Sequence, residues 1–475
     1  MLFASTVFLF IFLPAVILIY YGMPNQAAKR GRNLVLLLGS YIYYLYGAAE
    51  FLPILMASTL ADYGLAHLMA GDPRRKRLWL VFSLTINLGL LVYFKYANFM
   101  VHEIDLLRSR SGLPALAWTE VMLPIGISFF TFQKLSYVID VFRGEARPLR
   151  DPLDFALYVA MFPQLIAGPI VRFREIRAQL RTRREGLDRF FEGLTRVCWG
   201  LAKKVIIAES LGRLADAVFA LPPGAVDTKT AWLGAATYTL QIYFDFSGYS
   251  DMAIGLGRLF GFDLPENFRR PYSAVSITDF WRRWHISLSR WFRDYLYIPL
   301  GGNRQGTART CFNMALVFVL CGLWHGANWT FLAWGVYHGL FLIVERLTGL
   351  RRLPAHQWVI TRRVVTLLVV TVGWVLFRAA DFEQAALLLR AMFTWTDQPL
   401  TYALSLHFNP WDLGVLALAA VVFALPAEYS GYRGLIASSR PRPSFAAVLL
   451  VVVIFPLCGL LIVSSPAAPF IYFRF

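Results

Sequence analysis

The residue best placed for chemistry is His325, which lies near the centre of a long apolar run. That run covers about 310–343, or ~34 residues, whereas a helix needs only ~20 to cross a bilayer. An ionisable side chain at membrane depth is costly and is usually functional. Gly322 and Gly326 flank the histidine and weaken a continuous helix, so we predict a broken helix that is buried in protein or lines a wet cavity. The alternative is a packed histidine that hydrogen-bonds to a carbonyl.

A second histidine, His285, lies in a stretch rich in arginine and tryptophan. The stretch has too many arginines to span a bilayer, and its apolar residues recur at helical spacing: Trp281, Trp284, Leu288 and Trp291. This pattern predicts an amphipathic helix at the cytoplasmic membrane interface. On the pattern alone, His285 is one more interfacial group.

The composition is that of a membrane protein. The chain has 475 residues, 57% of them hydrophobic, with a mean hydropathy of +0.53, whereas soluble domains are about 45–50% apolar. The formal net charge of +17 comes mostly from arginines in short loops, which is a topology signal and not a nucleic-acid surface. The four cysteines fit neither a zinc site nor a disulfide framework, and we predict no metal.

The apolar runs predict an all-α polytopic membrane protein in a single domain over 1–475. Basic loops face the cytoplasm, which places both termini on the outer side. The domain divides into N-terminal helices (1–150), a catalytic core with re-entrant segments (151–350), among them one at about 155–171, and C-terminal helices with an outward aromatic tail (351–475). The other predicted spans are about 3–21, 34–48, 51–69, 78–99, 121–142, 194–221, 232–260, 364–377, 411–425 and 445–463.

Polar residues interrupt two of the predicted spans. Lys134 lies in the irregular span at 121–142 and is expected to line a cavity. Asp245 and Asp251 lie in the span at 232–260. Two carboxylates on one helix predict a polar interior face, and the alternative is hydrogen bonding to neighbouring helices.

Four motifs, in this order, resemble those of the membrane-bound O-acyltransferase family, and the resemblance covers essentially the whole chain. The most similar branch is the bacterial one that includes membrane subunits of alginate O-acetylation, peptidoglycan O-acetylation and teichoic-acid D-alanylation. The family's essential histidine corresponds to His325, and its second, upstream position corresponds to His285. The implied fold is a helical shell around a central tunnel. The motifs are 244–253 (FDFSGYSDMA), 267–272 (NFRRPY), 279–289 and 324–329, followed by an aromatic tail.

The resemblance implies direct acyl transfer to a hydroxyl. His325 is the expected base, and His285 is expected to orient the donor thioester or to hydrogen-bond the intermediate. Trp324, Asn328 and Asp279 are expected to support the tunnel. The implied donor is acetyl-CoA, which is a substrate and not a bound cofactor, and the cytoplasmic arginines suit its phosphates.

The acetyl group is expected to cross the bacterial inner membrane and to reach an exported polysaccharide, with alginate as the leading acceptor. The implied partners are a periplasmic SGNH-type acetyltransferase, the polysaccharide synthesis and export complex, and membrane lipid, with no nucleic acid. Cellulose, peptidoglycan and teichoic acid remain alternative acceptors. A solute or ion transporter is the other class, because broken helices and intramembrane charges also mark transporters. The four motifs and the lack of an inverted repeat favour the enzyme.

The aromatic tail contains one hydroxyl, that of Tyr472. One interpretation is an interfacial aromatic anchor. The other, suggested by similar motifs in related acyl-export systems, is an acyl relay in which Tyr472 accepts the acyl group as a phenyl ester near His325. A phenol with a pKa of about 10 is a good leaving group, so such an ester would stay reactive toward a partner's nucleophile.

Overall fold

The structure is a computed structural model that describes residues 2–23, 28–350, 354, 357–397, 405, 409–424, 445–464 and 470–471. All regular secondary structure in these ranges is helical, and no strand occurs in them. The all-α polytopic prediction is confirmed. The segments long and apolar enough to cross a membrane, within the described ranges, are Lys29–Gly71, Lys76–Arg110, Gly306–His325, Val359–Arg378 and Phe445–Ser464.

The Cα positions group the chain into two compact units. Unit 1 comprises Thr6–Glu185 and Phe260–Pro265. Unit 2 comprises Leu2–Ser5, Gly186–Leu259 and Glu266–Phe475. The single membrane domain proposed for 1–475 stays a prediction.

Unit 1 begins with a π-helical turn, Phe8–Phe12, that continues into the first α-helix. The predicted break near 155–171 is present, because two short helices, Pro152–Ala160 and Phe162–Leu165, occupy this region. They have nine and four residues, and neither reaches the ~20 needed for a span. The α-helices in the described part of this unit are α1 Leu13–Gly22, α2 Ala28–Ala48, α3 Leu52–Gly71, α4 Lys76–Arg110, α5 Ile127–Arg143, α6 Pro152–Ala160, α7 Phe162–Leu165 and α8 Phe173–Ile176.

Lys134 on α5 is fully buried and is held by an ion pair inside unit 1. Its Nζ lies 3.8 Å from Oδ2 of Asp62 on α3. Ser83 and Asn87 on α4 donate to the same carboxylate at 2.5 and 2.8 Å. Burying charges is tolerable when they are paired and hydrogen-bonded. The Asp62 carboxylate thereby joins α3, α4 and α5, and Lys134, which was expected to line a cavity, is its partner on α5.

Unit 2 contains the predicted catalytic core. Two π-helical segments, Lys203–Ala208 and Leu450–Ile454, each join two consecutive α-helices of this unit. The α-helices in the described part of this unit are α9 Leu187–Ala202, α10 Glu209–Phe219, α11 Thr228–Leu259, α12 Ile277–Arg283, α13 Ile286–Phe292, α14 Gly306–His325, α15 Trp329–Leu347, α16 Val359–Arg378, α17 Phe382–Phe393, α18 Pro410–Ala424, α19 Phe445–Leu449 and α20 Phe455–Ser464.

Helices α9 and α11 pack with their backbones in contact at two glycine pairs. A Cβ atom built on Gly248 would lie 2.8 Å from the carbonyl oxygen of Gly200, and one on Gly255 would lie 2.7 Å from that of Gly193. Small residues allow such close approach between helices in a membrane. The spacing of seven residues between the two glycines of each helix keeps them on one face of that helix.

The predicted amphipathic helix around His285 is wrong. The segment forms two short helices, α12 and α13, with His285 between them in a left-handed conformation at φ 42°. Trp281, Trp284 and Trp291 are 8%, 1% and 6% exposed. These rings pack against protein and not lipid, and the ring centroids of Trp284 and Trp374 on α16 are 4.8 Å apart.

Gly200→Ala should destabilise the protein, because the new methyl group would collide with the carbonyl oxygen of Gly248. We expect a loss of about 1–3 kcal/mol in unfolding free energy, as for overpacked cores, measured by thermal unfolding in detergent. Gly414→Ala on α18 is the matched control, since nothing lies within 4 Å of a Cβ there. Equal melting temperatures for the two variants would contradict a close α9–α11 contact.

Candidate active site

Helix α14 ends at His325, and a three-residue break separates it from α15. Asn328 begins α15 as its N-cap, because its side chain accepts the backbone N–H of Thr330 at 3.0 Å, the favoured role of asparagine at this position. The Asn328 amide also donates to the carbonyl oxygen of Ala380 at 2.8 Å. A Cβ on Gly326 would collide with the ring of Phe331. The break predicted from the glycines is therefore present, and Asn328 fixes its geometry.

His325 is buried among aromatic rings. Its ring centroid lies 4.8 Å from that of Trp324, 5.1 Å from that of Trp334 and 5.2 Å from that of Phe377. The imidazole is 4% exposed. Such surroundings exclude water, which strengthens electrostatic interactions at the imidazole.

His285 is oriented by Asn267, from the NFRRPY motif. Nδ1 of His285 lies 3.1 Å from Oδ1 of Asn267, which also accepts the hydroxyl of Ser287 at 2.9 Å. The backbone N–H of Ile286 donates to the carbonyl oxygen of Asn267 at 2.9 Å. Because an amide oxygen only accepts hydrogen bonds, Nδ1 carries the proton and Nε2 is the accepting nitrogen.

Burial lowers the pKa of His285 to about 3. The imidazole is fully buried, and desolvation disfavours its charged form. His285 is therefore neutral near pH 7. A neutral imidazole in this tautomer offers a lone pair at Nε2, which suits acceptance of a proton or of a hydroxyl hydrogen bond.

The structure brings the rings of His285, Trp324 and His325 close to one another. The ring centroid of Trp324 lies 6.1 Å from that of His285 and 4.8 Å from that of His325. Asp279 has a different place, since it accepts from Arg283 at 2.8 Å and from the backbone N–H of Val275 at 3.2 Å. These bonds brace the turn into α12.

A cavity of about 440 Å³ is lined by residues that neighbour the two histidines in the chain, although neither histidine is itself among the lining residues. Its lining includes Ile286, which follows His285, and Cys321, one turn before His325. Pockets of this size hold drug-sized ligands. The lining combines four arginines with a mainly apolar wall: Arg269, Arg282, Arg290 and Arg293, with Trp281, Ile286, Leu288, Phe292, Met314, Val317, Phe318, Cys321 and Leu342 among the others. Such a cavity suits an amphipathic anion.

Two positioning residues were missed from the sequence. Asn267 was noted as part of a motif, but not as the partner of His285. Glu345, in the last turn of α15, accepts the backbone N–H of Ile277 at 2.5 Å and both the N–H and the hydroxyl of Thr278, at 2.9 and 2.7 Å. It thereby caps α12 from another helix. An acidic residue in an apolar helix was the available signal.

Tyr472, the predicted acyl relay, lies outside the described residues. The two residues immediately before it are described and are buried in unit 2: Phe470 is 2% exposed and Ile471 is 3% exposed. The backbone N–H of Ile471 donates to Oδ2 of Asp245 on α11 at 2.8 Å. The role of Tyr472 stays a prediction.

Comparison with known proteins gives consistent matches. The model of the membrane-bound O-acyltransferase family matches residues 77–380, a range that includes both histidines and the whole cavity lining. The chain is 43% identical, over its full length and that of the relative, to a protein of Pseudomonas putida named "Probable alginate O-acetylase AlgI". The protein of that name from Pseudomonas aeruginosa is 46% identical, over 89% of this chain and 81% of the relative. A "Peptidoglycan O-acetyltransferase" of Helicobacter pylori is 38% identical, over 82% of this chain and 80% of the relative.

Asn267→Ala should impair transfer through His285 without removing the histidine. Loss of the accepting oxygen frees the imidazole to rotate, and a misplacement of this kind costs about 10²-fold in rate. The measurement is acyl transfer per molecule of membrane-inserted protein. Ser287→Ala is the comparison variant, because it removes another bond to the same oxygen and only the long 3.5 Å contact between the Ser287 hydroxyl and Nδ1 of His285, and it keeps the 3.1 Å contact of Asn267 with that nitrogen. Equal losses in the two variants would show that Asn267 does not act through His285.

Proposed function

Since the chain belongs to the membrane-bound O-acyltransferase family and is thus a multi-pass membrane O-acyltransferase, we propose that it takes acetyl groups from acetyl-CoA in the cytoplasm. It passes them across the bacterial inner membrane for O-acetylation of alginate. The names of its full-length relatives support alginate. The more distant match to a peptidoglycan O-acetyltransferase supports peptidoglycan as the second acceptor.

The observation that carries the donor proposal is the arginine-rich cavity, whose lining includes Ile286, which follows His285, and Cys321, one turn before His325. Three of its arginines, Arg269, Arg282 and Arg293, are exposed. They suit the phosphates of coenzyme A, since arginine binds phosphate by charge-assisted, bidentate hydrogen bonds. The apolar wall suits the pantetheine arm, which would bring the thioester toward the histidines.

In the proposed reaction, the oxygen of the attacking hydroxyl forms a bond to the thioester carbonyl carbon. At the same time, His325 accepts the proton of that hydroxyl. The tetrahedral intermediate then breaks its carbon–sulfur bond, and the departing thiolate takes the proton from the imidazolium. His285 was expected to orient the thioester or to stabilise the intermediate. Its accepting Nε2 fits a different role better, because it can hold the attacking hydroxyl but cannot donate to an oxyanion while neutral.

The rest of the proposed system lies outside the cytoplasm. Positive-inside charge placement supports periplasmic N- and C-termini. The aromatic tail then carries the acetyl group on Tyr472 to a periplasmic SGNH-type acetyltransferase, which works with the polysaccharide synthesis and export complex. The burial of Phe470 and Ile471 in the same unit as His325 supports a tail that folds back toward the site.

The double variant Arg269→Ala, Arg282→Ala should raise the KM for acetyl-CoA about tenfold or more, because hydrogen bonds to charged groups contribute about 1.5–3 kcal/mol each. The KM is measured in inside-out membrane vesicles, which should consume added acetyl-CoA. Right-side-out vesicles should not consume it, because the proposed donor enters from the cytoplasm. Arg304→Ala is the matched control, since that arginine is exposed and is not part of the cavity lining. An unchanged KM in the double variant would reject this cavity as the donor site.

His325→Ala should abolish acetylation of the exported polymer while the protein stays in the membrane. General-base catalysis contributes about 10²–10⁴-fold, so the residual rate should be near the detection limit. The measurement is the acetyl content of the polymer at equal protein level. His102→Ala, at an exposed position of α4, controls for loss of a histidine as such. Normal acetylation in the His325 variant would refute the assignment of the base.

A further inference from the structure

The carboxylate of Asp245 makes two different contacts in unit 2. Its Oδ2 accepts the backbone N–H of Ile471 at 2.8 Å. Its Oδ1 lies 2.9 Å from Nζ of Lys204, at the beginning of the π-helical segment after α9. Asp245 and Lys204 are both buried. We call residues 470–471 the terminal segment.

Aromatic contacts hold the other residue of the terminal segment. The ring of Phe470 stacks on that of Tyr249, one turn after Asp245 on α11, with 4.6 Å between centroids. Tyr249 also stacks on Phe3 at 4.7 Å. Phe470 contacts Phe246 as well, at 5.4 Å. The terminal segment is therefore fixed by its backbone at one residue and by its ring at the other.

Phe246 connects the terminal segment to the site. Its ring meets the imidazole of His285 edge to face, with 4.7 Å between centroids and 90° between planes. The same ring also contacts that of Phe470, with 5.4 Å between centroids. One aromatic side chain thus separates the terminal segment from His285.

Asp251, further along α11, is a useful comparison with Asp245, because both of its oxygens bind side chains from the α9 side. Its Oδ1 accepts from Arg196 at 2.8 Å, and its Oδ2 lies 2.7 Å from Nζ of Lys203. Both partners lie on the α9 side of the interface, so both oxygens serve the helix pair. Asp245 differs, because one of its oxygens holds a backbone amide that belongs to neither helix.

We propose that Asp245 is a positioning residue that anchors the terminal segment beside His285. The ion pair with Lys204 fixes the position of the carboxylate, and the carboxylate holds the chain at Ile471, from which the residues that include Tyr472 continue. The role in acyl transfer rests on the proposed function, in that transfer is taken to pass through Tyr472. The anchor itself does not depend on that relay.

Two double variants isolate the anchoring oxygen. Lys204→Met with Asp245→Asn removes both charges and keeps an accepting oxygen, whereas Lys204→Met with Asp245→Ala removes that oxygen as well. Neither pair leaves one of these two charges buried without the other, which would be strongly destabilising. The readout is amide hydrogen exchange at Ile471, followed by mass spectrometry of the peptide that contains it, together with steady-state acetyl transfer.

In the alanine pair we expect exchange at Ile471 about tenfold faster than in the asparagine pair, the effect of losing one buried hydrogen bond. The kcat of transfer should fall with it, while the KM for acetyl-CoA stays the same. Lys203→Met with Asp251→Asn is the matched control, since it removes both charges of an ion pair between the same helices and should leave exchange at Ile471 unchanged. Equal exchange in the two double variants would overturn the anchor.

The test separates the anchor from the relay. Faster exchange without any loss of kcat would show that the position of the terminal segment does not matter for transfer, and would overturn its proposed role. Tyr472→Phe keeps the ring and removes only the hydroxyl. If that variant transfers acetyl groups at the wild-type rate, the relay is wrong, whereas the exchange measurements still decide whether Asp245 holds the segment.

Discussion

The position of helix α11 depends on α9, because the backbones of the two helices are in direct contact. The glycines of α9 and α11 allow this approach, and the approach places Arg196 and Lys203 within 3 Å of Asp251. Such ion pairs contribute little in water, but at buried positions the loss of one partner costs several kcal/mol. Glycine contact and charge pairing therefore fix α11 together. From this helix Ser250 accepts the amide of Asn267 at 3.1 Å, and Asn267 orients His285.

The other histidine depends on a tight helical hairpin. Cβ atoms on Gly322 and Gly335 would collide with backbone carbonyls of Phe331 and Phe318, so α14 and α15 also pack with their backbones in contact. This contact presses Trp334 of α15 against His325 at the end of α14. A dry aromatic surrounding excludes water and strengthens electrostatic interactions. The hairpin thus both positions His325, the proposed base, and keeps water away from it.

The sequence predicted features that depend on residues close together in the chain, and it missed those that depend on residues far apart in it. Apolar length and glycine placement are local, and they predicted the break after His325 and apolar helices that include Lys76–Arg110, Val359–Arg378 and Phe445–Ser464. The tryptophans around His285 were assigned to the membrane interface, because a periodic aromatic face looks the same whether lipid or protein covers it. The structure shows protein, since the left-handed turn at His285 folds the segment inward. Asn267 and Glu345 act across 18 and 67 or more residues, and no local pattern reports such a pairing.

The left-handed backbone at His285 is held in place by hydrogen bonds to Asn267. A non-glycine residue with positive φ is costly and persists only where its surroundings over-determine it. Here the side chain and backbone of Asn267 hold both sides of the turn, through His285 and Ile286. The turn directs Ile286 into the arginine-rich cavity and the imidazole against Phe246, which contacts the terminal segment. A continuous helix would carry neighbouring residues only about 100° apart on one cylinder. The break instead lets two successive residues face different partners, Ile286 the arginine-rich cavity and His285 the ring that contacts the terminal segment.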